Sequence, residues 1–233
     1  MKVRIQFEKL GAIRFTSHKD VLRILERCFA AAGVPVSWSE GFHPHVRMSF
    51  GPPIRTGWES RQEFMDLQLE SPMDGMAEAC NAKLPDGFRV VAVVPIDDGT
   101  PKLASDIAAV TLDVMVEVED AAAALASRGA VDHDTASIHA AISDRFLNTP
   151  NAVPGEPGIV EADVVRTQDT FRIRYTSTMQ LQRIVTPEAL VSATIGDPDS
   201  FRVPIKVMRL AQYVARDGRF VSPIDEGVVQ TTV

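Results

Sequence analysis

Two stretches of strict alternation constrain this chain more than anything else in it. In residues 2–8, Val3, Ile5 and Phe7 are set against Lys2, Arg4, Gln6 and Glu8, and residues 63–70 repeat the pattern, so each reads as a strand with one apolar face. Between them lies a helix signal complete at both ends. Ser17 is placed to cap, with Asp20 three residues on to favour the first-turn amides. Val21, Leu22, Ile24, Leu25, Cys28 and Phe29 form an apolar stripe, and Gly33 followed by Pro35 stops the helix.

Val34 to Trp38 reads as a second short strand, with residues 47–50 as a strand continuation inside the following loop. Pro72 and Asp74 open a helix that ends before Pro85 and Gly87, and 88–94 is a β-prone run. The order β-α-β-β-α-β is that of the ferredoxin-like split βαβ arrangement. A similar order follows: a strand at 109–118, helical patterns at 120–128 and 135–147, a Pro/Gly-rich break at 149–158, strands at 159–166 and 171–178, a helix at 186–194 and a strand at 202–213. The expected fold is therefore α+β, two tandem ferredoxin-like units. Residues 1–96 form the first with a long functional loop at 39–60, 97–108 a linker, 109–217 the second unit and 218–233 an irregular tail.

No apolar run approaches the roughly 20 residues that cross a bilayer, and the first residues read as a strand instead of a signal peptide, so a cytoplasmic location without membrane contact is expected. Two cysteines, Cys28 and Cys80, are too few for a disulfide framework or a cysteine metal site. The net charge of -7 hides an asymmetry: residues 1–61 hold 10 Lys and Arg against 5 Asp and Glu, a balance of +5 that leaves -12 for the remainder. A local basic region on an acidic protein suits an anionic partner.

That region carries the candidate site residues. Lys19, Arg23 and Arg27 recur at i, i+4 along one ridge of the first helix, a pattern that also describes an ordinary solvated face. With Arg14, His43, His45, Arg47 and Arg55 they offer anion contacts, while Phe42, Phe50 and Trp58 offer stacking faces, a combination that suits single-stranded nucleic acid. His18 and His45 are the candidate general acids or bases. The His spacing matches no zinc pattern, so no metal or cofactor is assigned. Gly41, Gly51 and Gly57 permit turns and Pro44, Pro52 and Pro53 restrict the loop, which is expected to be ordered with its histidines close to His18. Walker, dinucleotide-binding and nucleophile-elbow motifs are absent from the sequence.

The motifs Arg14-Phe15-Thr16-Ser17-His18-Lys19-Asp20, the Arg23 to Arg27 helix, Ser39-Glu40-Gly41-Phe42-His43-Pro44-His45 and Ser49-Phe50 through Gly57-Trp58-Glu59-Ser60 resemble the radical-SAM-linked family, a bacterial domain of unknown function. The resemblance covers residues 1–70, with Thr186-Pro187-Glu188-Ala189-Leu190 as a further echo. His43 stands where Asn is more usual in that family, and Lys19 where an apolar residue is. The resemblance implies a domain fused to, or encoded apart from, B12-binding radical SAM proteins. Their cluster needs a Cys-x3-Cys-x2-Cys run that Cys28 and Cys80 do not supply. The expectation is a recognition module, non-catalytic on its own, that presents RNA or another anionic substrate to a separately encoded radical SAM protein. The alternatives are a ribonuclease or RNA-modifying enzyme using His18 or His45, and a protein–protein adaptor.

Overall fold

The computed structural model describes residues 1–117, 158–167, 170–195 and 205–225. The helical patterns expected at 120–128 and 135–147 lie outside the described residues. The fold is mixed α+β, with mostly antiparallel strand pairing and few helices. The chain divides into two units, one formed by Met1–Ala108 with Ala211–Val233 and the other by Ala109–Leu210. The sequence reading places its boundary at 97–108 and leaves 218–233 as a tail; in this division the C-terminal segment belongs to the first unit.

In the first unit β1 (Lys2–Lys9) lies between β3 (Glu59–Gln68) and β4 (Phe88–Ile96), antiparallel to both, and β2 (Met48–Phe50) pairs with β3. The strand order is thus β4-β1-β3-β2, with α1 (His18–Ala32) after β1 and α2 (Met76–Asn81) after β3. Val3, Ile5 and Phe7 meet Leu67, Met65 and Glu63 across the β1–β3 ladder. With Val21, Leu25, Cys28 and Phe29 of α1 and Cys80 of α2, the apolar members of this set form one core. The Cys28 thiol donates to the Cys80 carbonyl at 3.4 Å, and both cysteines are buried.

The ends of α1 follow the local code. The Ser17 hydroxyl accepts from the Asp20 amide, the Asp20 carboxylate accepts from the Ser17 amide, and Gly33 takes φ 68° at the C-terminus. This is a capping box closed by a left-handed glycine. Gly87 is fixed by space as well as conformation. Its φ is 88°, and a Cβ there would stand 2.2 Å from the Leu10 carbonyl oxygen.

The charged face of β1 is partly covered, and at Arg4 completely so. Arg4 is 0% exposed and forks onto Asp66, Nε to Oδ1 at 2.8 Å and Nη2 to Oδ2 at 3.2 Å, while Nη1 donates to the Pro223 carbonyl at 3.1 Å and Nη2 reaches that of Pro101 at 3.5 Å. Segments from the expected linker and tail thus supply carbonyls to a buried cation. Leu103–Asp106 is a short helix, α3, with Leu103 buried, and β9 (Arg219–Val221) pairs with β8 (Ile205–Arg216). Gln212 of β8 exchanges two hydrogen bonds with Gln62, its amide to Oε1 at 2.7 Å and its Nε2 to the carbonyl at 2.8 Å.

The expected strand at Val34 to Trp38 does not form. Val36 bridges Leu69 and Trp38 bridges Val46, but these bridges are isolated, and the ladder beside β3 is Met48–Phe50 instead. The chain turns back on itself here, so the amides on either side of Trp38 bond to the neighbouring loop and to the end of β3. In the second unit β5 (Ile107–Glu117) pairs with β7 (Thr170–Thr178), and β7 pairs with β6 (Ile159–Arg166). The strand order is β8-β5-β7-β6, and α4 (Pro187–Ile195) precedes β8.

Removing one member of a buried ion pair strands the other, at a cost of about 3–5 kcal/mol, whereas replacing both by apolar residues is often nearly neutral. Arg4→Met leaves the buried Asp66 carboxylate only the partly exposed Lys2 ammonium, 3.4 Å away, and should lower the melting temperature, while Arg4→Met combined with Asp66→Leu should recover most of the loss; equal effects of the single and double changes would contradict the assignment. The cap has its own pH signature. Hydrogen bonds from Ser17, side chain before backbone, and the charge of Arg23 hold the Asp20 carboxyl below its usual range. A depressed carboxylate stabilises fully above its unfolded value of about 3.9 and loses that contribution as pH falls through the folded value. The difference in melting temperature between the protein and its Asp20→Ala variant should be largest near neutrality and shrink below about pH 4.

Candidate functional site

The basic ridge forms as the helical spacing requires. Lys19, Arg23 and Arg27 are all exposed on α1. Arg23 makes an ion pair with Asp20 at 3.4 Å, and Arg27 Nε donates to the Arg23 carbonyl at 3.2 Å. Among the described residues no carboxylate pairs with Lys19, Arg27 or Arg47. Arg14 is committed: Nη1 donates to the Gly11 carbonyl at 3.2 Å and lies 3.5 Å from Glu59, while the guanidinium carbon is 4.5 Å from the Phe15 ring centroid.

Residues 37–47 make an arm that doubles back. The Ser39 amide donates to the His45 carbonyl at 2.8 Å and the Arg47 amide to the Ser37 carbonyl at 2.9 Å. The base of the arm is tied to the end of β3, Ser37 amide to Gln68 carbonyl and Gln68 amide to Arg47 carbonyl, each at 2.9 Å. The Ser39 hydroxyl accepts from the His45 amide at 3.0 Å and shares a hydrogen with His45 Nδ1 at 2.8 Å. At the tip, Glu40, Gly41, Phe42, His43 and Pro44 are all exposed, and the Phe42 ring is entirely so.

The expected stacking faces divide. Phe42 is open. Phe50 is half-buried, edge-on to Phe7 with centroids 6.5 Å apart and to His18 at 5.1 Å. Trp58 is buried, with the Arg55 guanidinium 5.2 Å from its ring centroid. Trp58 is thus withdrawn from solvent, and Phe50 is held against Phe7 of β1, which leaves it only partly accessible. Exposed rings elsewhere in the N-terminal region are Trp38, 53% exposed, and Phe15, 63% exposed. The resemblance motif contains Phe15, and Trp38 closes the strand expected at Val34 to Trp38, but alternation and spacing mark neither as a platform.

His18 and His45 have separate partners, Phe50 for one and Ser39 for the other. His18 stands instead at a small cleft with Lys9, Glu63, Phe50, Gly51 and Pro53, of about 20 Å³, room for roughly one water. The sequence reading misses Lys9 and Glu63. Both are buried, on the same face of their strands as Val3, Ile5 and Phe7 and as Met65 and Leu67. Extending the alternation of β1 by one step would place Lys9 inward, which is the one signal available. Its Nζ donates to the Thr16 carbonyl at 2.9 Å. Burial holds its pKa below the ordinary lysine value, and the charge of Glu63 acts the other way. Since the unfolded chain binds more protons between the two lysine values, this side chain makes stability rise with pH across that alkaline window.

Among the described residues no group of three or more His, Cys, Asp or Glu is arranged to hold a metal ion, and no helix is long and apolar enough to cross a membrane. No curated protein matches the chain. Among solved structures, an unknown protein from Galdieria sulphuraria is 11% identical, with 89% of this chain and 97% of that one covered at a TM-score of 0.25. A structure described as "Putative Chlorite dismutase TA0507" is 14% identical, with 96% of each chain covered at a TM-score of 0.27. Both overlaps are too slight to bear on fold or chemistry. The family described as an uncharacterized protein conserved in bacteria (DUF2344) matches residues 2–149, well over half the sequence, and the chain belongs to that family.

Proposed function

We propose that the surface from Phe15 to Arg47 binds single-stranded RNA, and that the chain is a cytoplasmic accessory that presents this RNA to a radical SAM enzyme acting in trans. The observation that carries the reading is the fully exposed Phe42 ring at the tip of an arm whose base is hydrogen-bonded to β3. An exposed ring held on an anchored arm costs the protein water contact and returns nothing to its core, but it suits a base that stacks. Trp38 and Phe15 add two more open rings in the same stretch, and Lys19, Arg23, Arg27 and Arg47 supply cations for the backbone. The radical SAM partner rests on the sequence resemblance alone.

A second reading is favoured by one observation, the imidazole of His18 at the mouth of a cleft floored by Lys9 and Glu63. A cleft of this kind suits proton transfer on a bound strand. Loss of RNA turnover on His18→Ala with binding retained would favour it.

The finer fold reading, two tandem ferredoxin-like units, is also a proposal. It is supported by strand orders of one kind, β4-β1-β3-β2 and β8-β5-β7-β6, with α2 and α4 in equivalent places. The reading requires a helix between β5 and β6, where the sequence expects one at 120–128 or 135–147. Backbone chemical shifts with no helical run between residues 118 and 157 would refute it.

For binding, a short single-stranded RNA titrated at several salt concentrations is decisive. Arg23→Ala, Arg27→Ala and Arg47→Ala should each reduce the steepness of the log–log salt dependence by about 0.7, across all RNA sequences. Phe42→Ala should cost about 1–3 kcal/mol of affinity with the slope unchanged. No RNA affinity at low salt would sink the proposal, and failure to co-purify with any radical SAM protein of its own cell would remove the partner from it.

A further inference from the structure

The short α2 leaves part of its sheet face uncovered. Six helical residues rise only about 9 Å, while the nine residues of β4 run about 30 Å. The remainder is a groove of about 360 Å³ lined by Val3, Leu69, Met73, Met76, Val93 and Pro95. That volume lies within the range of ligand sites, and methionine-rich linings adapt to apolar side chains of varied shape. Two carboxylates stand at its rim. Asp74 and Glu78 both line the groove and are exposed, and among the described residues neither has a cationic partner.

The strand beside the groove is also open. β4 ends the strand order. The Asn81 side chain covers its outer edge at one residue, donating to the Val90 carbonyl at 2.9 Å and accepting from the Val90 amide at 2.8 Å. Among the described residues no strand pairs with that edge beyond Val90. Unpaired edges are templates for an added strand, and side chains alternating along such a strand enter pockets beside it.

We propose that this groove is a docking site for an extended segment of a partner protein, in which a Leu- or Met-sized residue fills the apolar floor while flanking Lys or Arg side chains meet Asp74 and Glu78. Charge complementarity selects the occupant: an acidic rim on an acidic chain repels acidic segments and RNA alike. The groove is therefore a second surface, distinct from the basic ridge of α1.

The test uses the full chain and a fluorescent octapeptide of alternating Leu and Lys, with a Leu/Glu peptide and an Ala/Lys peptide as controls. The Leu/Lys probe should bind, shift the amide resonances of Val91 to Ile96 and lose affinity about 5- to 10-fold on Asp74→Asn with Glu78→Gln. Ala77→Phe, which puts a ring into the groove, should weaken it about tenfold or more, as should the Ala/Lys control. If Ala77→Phe does not fold, the carboxylate variant decides. RNA affinity should be unchanged in these variants, whereas Arg23→Ala with Arg27→Ala should affect RNA and leave the peptide alone, so the two readings fail separately. The proposal is overturned by no binding of the Leu/Lys probe, by binding indifferent to Asp74 and Glu78, or by equal binding of the Leu/Glu peptide. A dimer that dissociates on the same carboxylate changes would overturn it too, by assigning the groove to a second copy of the chain.

Discussion

A guanidinium with no solvent exposure must be matched or it unfolds the structure around it, and Arg4 sets that condition for the first unit. Asp66 supplies the counter-charge from the neighbouring strand, and main-chain carbonyls of Pro101 and Pro223 take further donors. The pair fixes more than energy. A one-residue slip of β1 against β3 would move Arg4 into the apolar face occupied by Val3, Ile5 and Phe7, so the ladder has one acceptable register. With that register set, Lys9 and Glu63 arrive together beside His18, and the end of β3 is positioned to hold the base of the arm at residues 37–47. Both candidate surfaces of the N-terminal region depend on this pairing.

Where the physical cause is local, the sequence was a sufficient guide. Ser17, Asp20 and Gly33 determine α1 with contacts no more than a turn away, and the helix begins and ends where those residues predict. Alternation located β1 and β3 for a similar reason. The failures have a common origin in distant partners. Val34 to Trp38 has strand composition, but Leu69 and Val46 decide how it pairs. Arg4 looks like a solvent-facing residue until a carbonyl 219 positions away is known to meet it.

The site was legible by residue type and much less by environment. Exposed cations on α1 follow from helical spacing, but an aromatic ring in a loop gives no sign of whether it plugs the fold or leaves it. Phe50 and Trp58 do the first and Phe42 the second, with similar neighbours in sequence. Lys9 is hidden for a different reason: lysine is ordinarily a surface residue, and its charge outweighs its place in an inward alternation.

The division of the chain bears on how the protein is made. The first unit takes its last residues from the segment beyond Ala211, and the intervening stretch belongs to the other. At about 5–20 residues per second, a ribosome that has finished Ala108 needs on the order of ten seconds more to deliver Pro223. For that interval Arg4 and Asp66 are synthesised but not sealed, and the nascent first unit carries an open polar seam. Completion of that unit waits until synthesis has passed Pro223, so a stop introduced before that residue would damage the part of the molecule made first.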